Sequence, residues 1–144
     1  MITLRDLTEE NIEDLLKLKA GSSKEGFVAN SFAIAWLLRE CAKPLLIYTD
    51  EMLVGFILIV VNESESECYI SRLMIDATQR RRGYAKGALF AAAEYARNLG
   101  CKSAVLSFSP QNEFERKLYG SVGFVESGKT ENGELVMEKR LVIE

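Results

Sequence analysis

The stretch that decides the fold is Ile70-Ser71-Arg72-Leu73-Met74-Ile75-Asp76-Ala77-Thr78-Gln79-Arg80-Arg81-Arg82-Gly83-Tyr84-Ala85-Lys86-Gly87-Ala88-Leu89. Its first part is apolar and strand-like. A polar turn, three arginines and a glycine follow, and then a run rich in alanine and leucine that reads as helix. Glycine thus sits where strand gives way to helix. The first backbone N–H groups of a helix have no internal partners and all point one way. The helix dipole adds partial positive charge at that end. A junction of this kind is a seat for phosphate.

Phosphate loops come in several patterns. A P-loop needs Gly, four residues and Gly-Lys-Ser/Thr, and the dinucleotide fingerprint needs Gly-x-Gly-x-x-Gly. Gly83-Tyr84-Ala85-Lys86-Gly87 fits neither. Arg80-Arg81-Arg82-Gly83-Tyr84-Ala85 resembles the Gln/Arg-x-x-Gly-x-Gly/Ala loop of the GNAT N-acetyltransferases, which bind acetyl-coenzyme A. Its setting agrees, with a strand ending Leu73-Met74-Ile75-Asp76 before it and a long amphipathic helix after it.

With 144 residues, the chain is expected to form one domain over 1–144. That is long enough to bury a core without disulfides or metal. The net charge of −3 argues against a nucleic-acid binder and leaves cationic small substrates open. Cys41, Cys68 and Cys101 are odd in number and lack a Cys-x-x-Cys spacing, so they read as reduced, mostly buried thiols of a cytoplasmic protein. There is no histidine, which excludes Ser-His-Asp and Cys-His mechanisms and any His-based metal site. The start, MITLRDLTEE, lacks the apolar run of a signal peptide. No apolar stretch is long enough to span a membrane.

Along the chain, Ile2-Thr3-Leu4-Arg5 alternates as a first strand. Thr8 is an N-cap candidate before Glu9 and Glu10, and Ile12, Leu15 and Leu16 mark a helix to about Lys19. Phe32 to Cys41 reads as a second helix. Ala35, Trp36, Leu37 and Leu38 make it apolar on more than one side, as a helix covered by a ligand, loop or partner chain would be, and a core helix with Trp36 buried is the preferred reading. Pro44 opens a strand, Thr49-Asp50-Glu51 turns, and Met52 to Val61 is apolar almost throughout, hence central and buried on both faces. Cys68 to Asp76 is the next strand, with Tyr69, Ser71, Leu73 and Ile75 expected on one face. The long helix carries Ala85, Ala88, Leu89, Ala92, Ala96 and Leu99 at helical spacing and stops at Gly100. A strand over Ser103–Ser107 follows, then a helix with Ser109 as cap and Pro110 in its first turn. Phe114, Leu118 and Val122 form its apolar stripe, and a last hairpin turns at Asn132-Gly133. The order β-α-α-β-β-β-α-β-α-β-β predicts an α/β sandwich: a mixed, largely antiparallel sheet with helices on both faces.

A second segment strengthens the resemblance. GNAT enzymes have, after a strand, an Asn, a helix, a Tyr on that helix and a Gly-Phe. Here these are Asn112, Tyr119, Gly123 and Phe124. Asn112, Glu115 or Arg116, and Tyr119 fall on one helix face by spacing, opposite the Phe114 stripe, so Tyr119 is expected to face a groove. The resemblance covers about Met1 to Leu141. Within the family it looks closest to the polyamine or diamine branch, on Phe27-Val28-Ala29-Asn30, on Arg72-Leu73-Met74-Ile75-Asp76, and on Asn132-Gly133-Glu134 with Met137-Glu138-Lys139.

The resemblance implies direct transfer of an acetyl group from acetyl-coenzyme A, as cosubstrate and without a metal, to a primary amine of a small molecule such as a polyamine. It implies that Leu73, Met74 and Ile75 present backbone groups to the pantetheine arm. Arg80, Arg81, Arg82, Gly83, Tyr84 and Ala85 would cradle the pyrophosphate, and Asn112 would bond the pantetheine. Tyr119 would be the general acid for the departing thiolate. Glu25, Phe27, Ser71 and Glu115 are the candidates for contact with the amine. Polyamine enzymes of the family often carry a carboxylate where this chain has Ser71, and a hydroxyl is a poor base. A water chain, Glu25 or Glu115 remain as proton acceptors. The alternatives are acetylation of a protein N-terminus or an aminoglycoside, and a non-catalytic acyl-coenzyme A sensor. A homodimer is expected by resemblance, with Leu135-Val136-Met137 as an apolar edge that either pairs between chains or is covered within one.

Overall fold

A computed structural model of the chain describes residues 1–18 and 35–141. The elements are β1 (Ile2–Asp6), α1 (Ile12–Leu16), β2 (Ala42–Thr49), β3 (Met52–Asn62), β4 (Glu67–Ile75), α2 (Tyr84–Asn98), β5 (Ser103–Phe108), α3 (Glu113–Ser121), β6 (Val125–Glu131) and β7 (Glu134–Arg140). Residues 35–37 are helical and belong to the helix expected over Phe32–Cys41. The start of that helix, together with Glu25 and Phe27, lies outside the described residues.

The strands form one sheet in the order β1-β2-β3-β4-β5-β7-β6. Every neighbouring pair is antiparallel except β4 and β5. β3 is apolar because it feeds two cores. Val54, Ile57 and Ile59 pack with Ala88, Leu89, Ala92 and Ala96 of α2 on one face. Phe56 and Leu58 pack with Leu15 of α1 on the other. Each such side chain contributes about 1.5–3 kcal/mol through burial. Val54 and Ile57 share a face despite their odd spacing because the ladder slips: Ile47 pairs with Gly55, but Tyr48 pairs with Leu53. Val54 is therefore the extra residue of a β-bulge.

The same device corrects the face expected for β4. Leu58 pairs with Arg72 and Ile59 with Ile70, so Ser71 is extra. The core-facing residues change from Cys68 and Ile70 to Leu73 and Ile75 across it, and Tyr69 faces away from them. α2 lies close on the sheet through its alanines and through Gly87, where a Cβ would stand 2.7 Å from Ile2 Cγ1.

Two helix starts and one core assignment also differ. The cap of α1 is Asn11, not Thr8. Asn11 Oδ1 accepts from Thr8 N at 2.8 Å and its Nδ2 donates to Asp6 O at 3.0 Å. These bonds hold Glu9 and Glu10 in a turn before the helix. Ser109 and Pro110 likewise form a turn ahead of α3, whose cap is Asn112. Trp36, expected in the core, is 68% exposed. The Arg39 guanidinium lies 4.8 Å from its ring centre.

The final hairpin turns at Asn132 and Gly133, with φ of 51° and 82°, as the Asn-Gly pair predicts. β7 lies between β5 and β6, so Leu135-Val136-Met137 is paired on both sides and is not an open edge. The edges are β1 and β6. Cys68 and Cys101 are buried, Cys41 is half-buried, and all are free. Burial, then the hydrogen bond and charge of Cys101, push the Cys68 thiol up to about 12, so it is protonated at neutral pH. No described helix is long and apolar enough to cross a membrane.

Candidate active site

β4 and β5 are laddered only over Glu67–Tyr69 and Ser103–Val105. Beyond that point β4 continues with β3 as far as Ile75, and β5 continues with β7 as far as Phe108. The two strands part, and their facing backbone edges have no ladder between them. An extended ligand can take the place of the missing strand pairing. A bulge bends its strand, and the one at Ser71 lies two residues past the end of that ladder. A cleft of about 390 Å³ opens there. It is lined by Tyr69, Ser71, Arg72 and Leu73 of β4, by Leu106, Ser107 and Phe108 of β5, by Glu115 and Tyr119 of α3, and by Glu134 of β7.

The loop after β4 is built from its root. Asp76 is the only charged residue among the described ones that is buried. Its N–H donates to Val54 O at 2.7 Å. Its carboxylate accepts from Thr78 N at 3.1 Å and from the Thr78 hydroxyl, capping a short 3-10 turn at Ala77–Gln79. Arg80 Nε then donates to Ile75 O at 3.4 Å. Arg81 and Gly83 both take positive φ, 66° and 80°, which doubles the chain back so that α2 starts at Tyr84. Gly83 caps α2 without a side chain, leaving the N–H groups of its first turn open to a ligand. Arg80, Arg81 and Arg82 are exposed around that turn. Met74 and Ile75 are buried, so only their backbone is on offer.

α3 brings the second cluster together. Asn112 Oδ1 accepts from Glu115 N at 3.0 Å, and Asn112 Nδ2 donates to Glu115 Oε1 at 2.7 Å. The Tyr119 hydroxyl donates to Glu115 Oε2 at 2.8 Å. These residues do share a helix face, as their spacing predicts. The direction of that face is corrected. The Tyr119 ring is itself in the core, 6.0 Å from Phe108 edge-on and 6.4 Å from Phe124, while its hydroxyl lines the cleft. Phe114, expected in the core stripe, is 76% exposed. Only the C-terminal turn of α3 meets the core, through Leu118, Tyr119 and Val122. Burial first, then the Glu115 carboxylate and its hydrogen bond, with Glu134 and Tyr69 behind them, hold the Tyr119 hydroxyl well above the ordinary tyrosine range. It keeps its proton at any physiological pH.

A third cluster escaped the sequence reading. Tyr69 Oη and Ser107 Oγ are 2.7 Å apart, and Ser107 Oγ donates to Glu134 Oε1 at 2.8 Å. A serine hydroxyl has one proton, so Tyr69 is the donor to Ser107. Ser107, set between the apolar Leu106 and Phe108, was the available signal.

The model of the Acetyltransferase (GNAT) family matches residues 7–124. The chain belongs to this family. It is an acetyl-coenzyme A-dependent acetyltransferase. No curated protein matches the sequence. Solved structures share the fold. The PaiA N-acetyltransferase of Thermoplasma acidophilum, in complex with coenzyme A, is 21% identical with a TM-score of 0.73, over 97% of this chain and 99% of that one. An acetyltransferase of Bacillus subtilis in complex with CoA is 16% identical, TM-score 0.70, over 98% of both chains. The spermidine N-acetyltransferase of Vibrio cholerae, in complex with CoA and spermine, is 16% identical, TM-score 0.72, over 95% of this chain and 92% of that one.

At Gly83 the GNAT loop can be tested directly. Valine would have to adopt φ near 80°, which costs about 1–2 kcal/mol for a residue with a Cβ. Gly83→Val is expected to weaken coenzyme A binding about tenfold by calorimetry, because relieving the strain moves the first turn of α2. Unchanged affinity would remove that turn from the binding site.

Proposed function

We propose that this GNAT enzyme acetylates a primary amine of a small molecule, with a polyamine as the first candidate. The observation that carries the reading is the cleft between the parted strands β4 and β5. An open helix start ringed by arginines lies just beyond β4, and two carboxylates, Glu115 and Glu134, line the cleft beside Tyr119. Carboxylates favour an alkylammonium over a neutral or anionic acceptor. The Vibrio cholerae relative with bound spermine supports the same class.

In this reading the cosubstrate supplies the activated acetyl thioester. The backbone of Leu73, Met74 and Ile75 pairs with the pantetheine arm as a strand would. One N–H of that segment stabilises the charge that develops on the carbonyl oxygen. Arg80–Ala85 hold the pyrophosphate through the α2 N–H groups and guanidinium charge. Asn112 spends its side chain on the α3 cap, so its contribution is to orient Glu115 and Tyr119. Tyr119 supplies the proton for the departing sulfur. Holding amine and thioester together contributes most of the acceleration. Free, buried thiols fit a reducing compartment such as the cytoplasm. The homodimer expected by resemblance has the exposed edge strand β6 as its candidate contact.

The test is a mass-spectrometric search for acetylated product with acetyl-coenzyme A and putrescine, spermidine, spermine, amino acids, aminoglycosides and short peptides. Acetylated polyamine is the expected result. Product only from peptides or aminoglycosides would replace the acceptor class, and coenzyme binding without any product would favour a sensor.

A further inference from the structure

We propose that Tyr69, Ser107 and Glu134 form the path by which the acceptor amine loses its proton, with Tyr69 as the group that touches the amine. The proposal rests on the acetyltransferase reading above and supplies the base that Ser71 cannot provide. The three side chains come from β4, β5 and β7, so the sheet fixes their separation. Ser107 lies between Leu106 and Phe108, which belong to the α2 core, and so points to the opposite face of the sheet. Tyr69 pairs with Val60 and shares that face, the one on which Leu15 of α1 packs. Glu134 is the first residue of β7, placed by the Asn132-Gly133 turn.

Direction is built into the chain of bonds. Tyr69 donates to Ser107 and Ser107 donates to Glu134, so a proton entering at Tyr69 leaves at a carboxylate. Tyr69 and Ser107 are half-buried, and Glu134 is exposed and returns its proton to water. Among the described residues, the other charged and titratable groups lining the cleft are Arg72 of β4 and Glu115 and Tyr119 of α3. Glu115 is already engaged at both oxygens, by Asn112 and by Tyr119. Arg72 donates to Ser71 O at 3.1 Å and carries no base.

The step balances. An ammonium proton passes to Tyr69 Oη as the Tyr69 proton moves to Ser107 and the Ser107 proton to Glu134. The net change is R–NH3⁺ plus carboxylate to R–NH2 plus carboxylic acid. The freed nitrogen pair forms the N–C bond, and the C–S pair departs on sulfur, which takes the Tyr119 proton. The second nitrogen proton restores Tyr119. The path matters because an amine of pKa about 10 is only about one part in a thousand neutral at pH 7.

The test uses the full chain, acetyl-coenzyme A and the best amine from the screen, with Ser107→Ala, Glu134→Gln and their double variant assayed from about pH 7 to pH 9.5. Each single variant is expected to lose about 100-fold in kcat at the lower pH. The loss should shrink to about threefold at the upper pH, where the amine deprotonates unaided. The double variant should be no worse than the poorer single one, because both cut the same path. Glu134 is exposed, so Glu134→Gln keeps the proposal testable if Ser107→Ala folds poorly. A loss that is the same at both pH values, or no loss with the wild type active, would overturn the path alone. A wild type that acetylates no amine would overturn the functional reading and the path with it.

Discussion

Tyr119→Phe is expected to lower kcat by about 10²- to 10³-fold while leaving the affinity for coenzyme A within about twofold. That loss corresponds to about 3–4 kcal/mol of barrier. The substitution is a clean one. Phenylalanine keeps the edge-on contact with Phe108 and the contact with Phe124, so the core is undisturbed. It removes only the hydroxyl that donates to Glu115. Asn112 still bonds that carboxylate, and stability should change by about 1 kcal/mol or less. The pH dependence follows from the sign of the shift. Burial and Glu115 raise the Tyr119 pKa in the folded state, so the proton stays on throughout the neutral and moderately alkaline range. Stability from this group is complete below the ordinary tyrosine range and declines only above it. The kcat profile between pH 7 and 9 should therefore show no limb belonging to Tyr119. A variant as active as the wild type would deny it the acid role.

The parts legible in the sequence are those set by local chemistry. The Met52–Val61 run announces a strand buried on both faces, Asn132-Gly133 a tight hairpin, and Gly83 the junction at which a helix begins; the fold carries each of these elements. Parity failed where the ladder slips. Val54 and Ser71 are bulged residues, and a single extra residue turns every later side chain over. No period-two reading can see that without the partner strand. Phe114 misled for a related reason: helical spacing says which residues share a face, not how much of the helix length meets the core. Tyr69, Ser107 and Glu134 stayed hidden because they are separated in sequence and meet only through the registers of β5 with β7 and of β4 with β5. Ser71, which stands where a base was sought, turns out to be a bulged residue in the lining of the cleft.

The loop that follows β4 is rooted in the close approach of β3 to β4 at Gly55. A Cβ on Gly55 would stand 2.3 Å from Met74 O, 3.0 Å from Ile75 Cδ1 and 3.2 Å from Ile47 Cδ1. The first of these is backbone and cannot swing aside. Gly55→Ala must therefore push β4 away from β3 at the end that leads into the loop. Two residues after Met74, just past the end of β4, stands Asp76, whose N–H is anchored on Val54 O and whose carboxylate caps the turn before the arginines. The expected cost is about 3 kcal/mol, the upper part of the range for inserting atoms into a packed site. For a chain of this size that lowers Tm by about 10 °C. Coenzyme A binding should weaken as well, since Asp76 shifts with the strand. Gly120→Ala is the control. That glycine is in α3, and a Cβ there meets nothing within 4 Å among the described residues. Alanine should hold or raise stability there, by up to about 1 kcal/mol. If Gly55→Ala melted with the wild type and bound coenzyme A equally well, the contact between β3 and Met74 would not be what positions the loop.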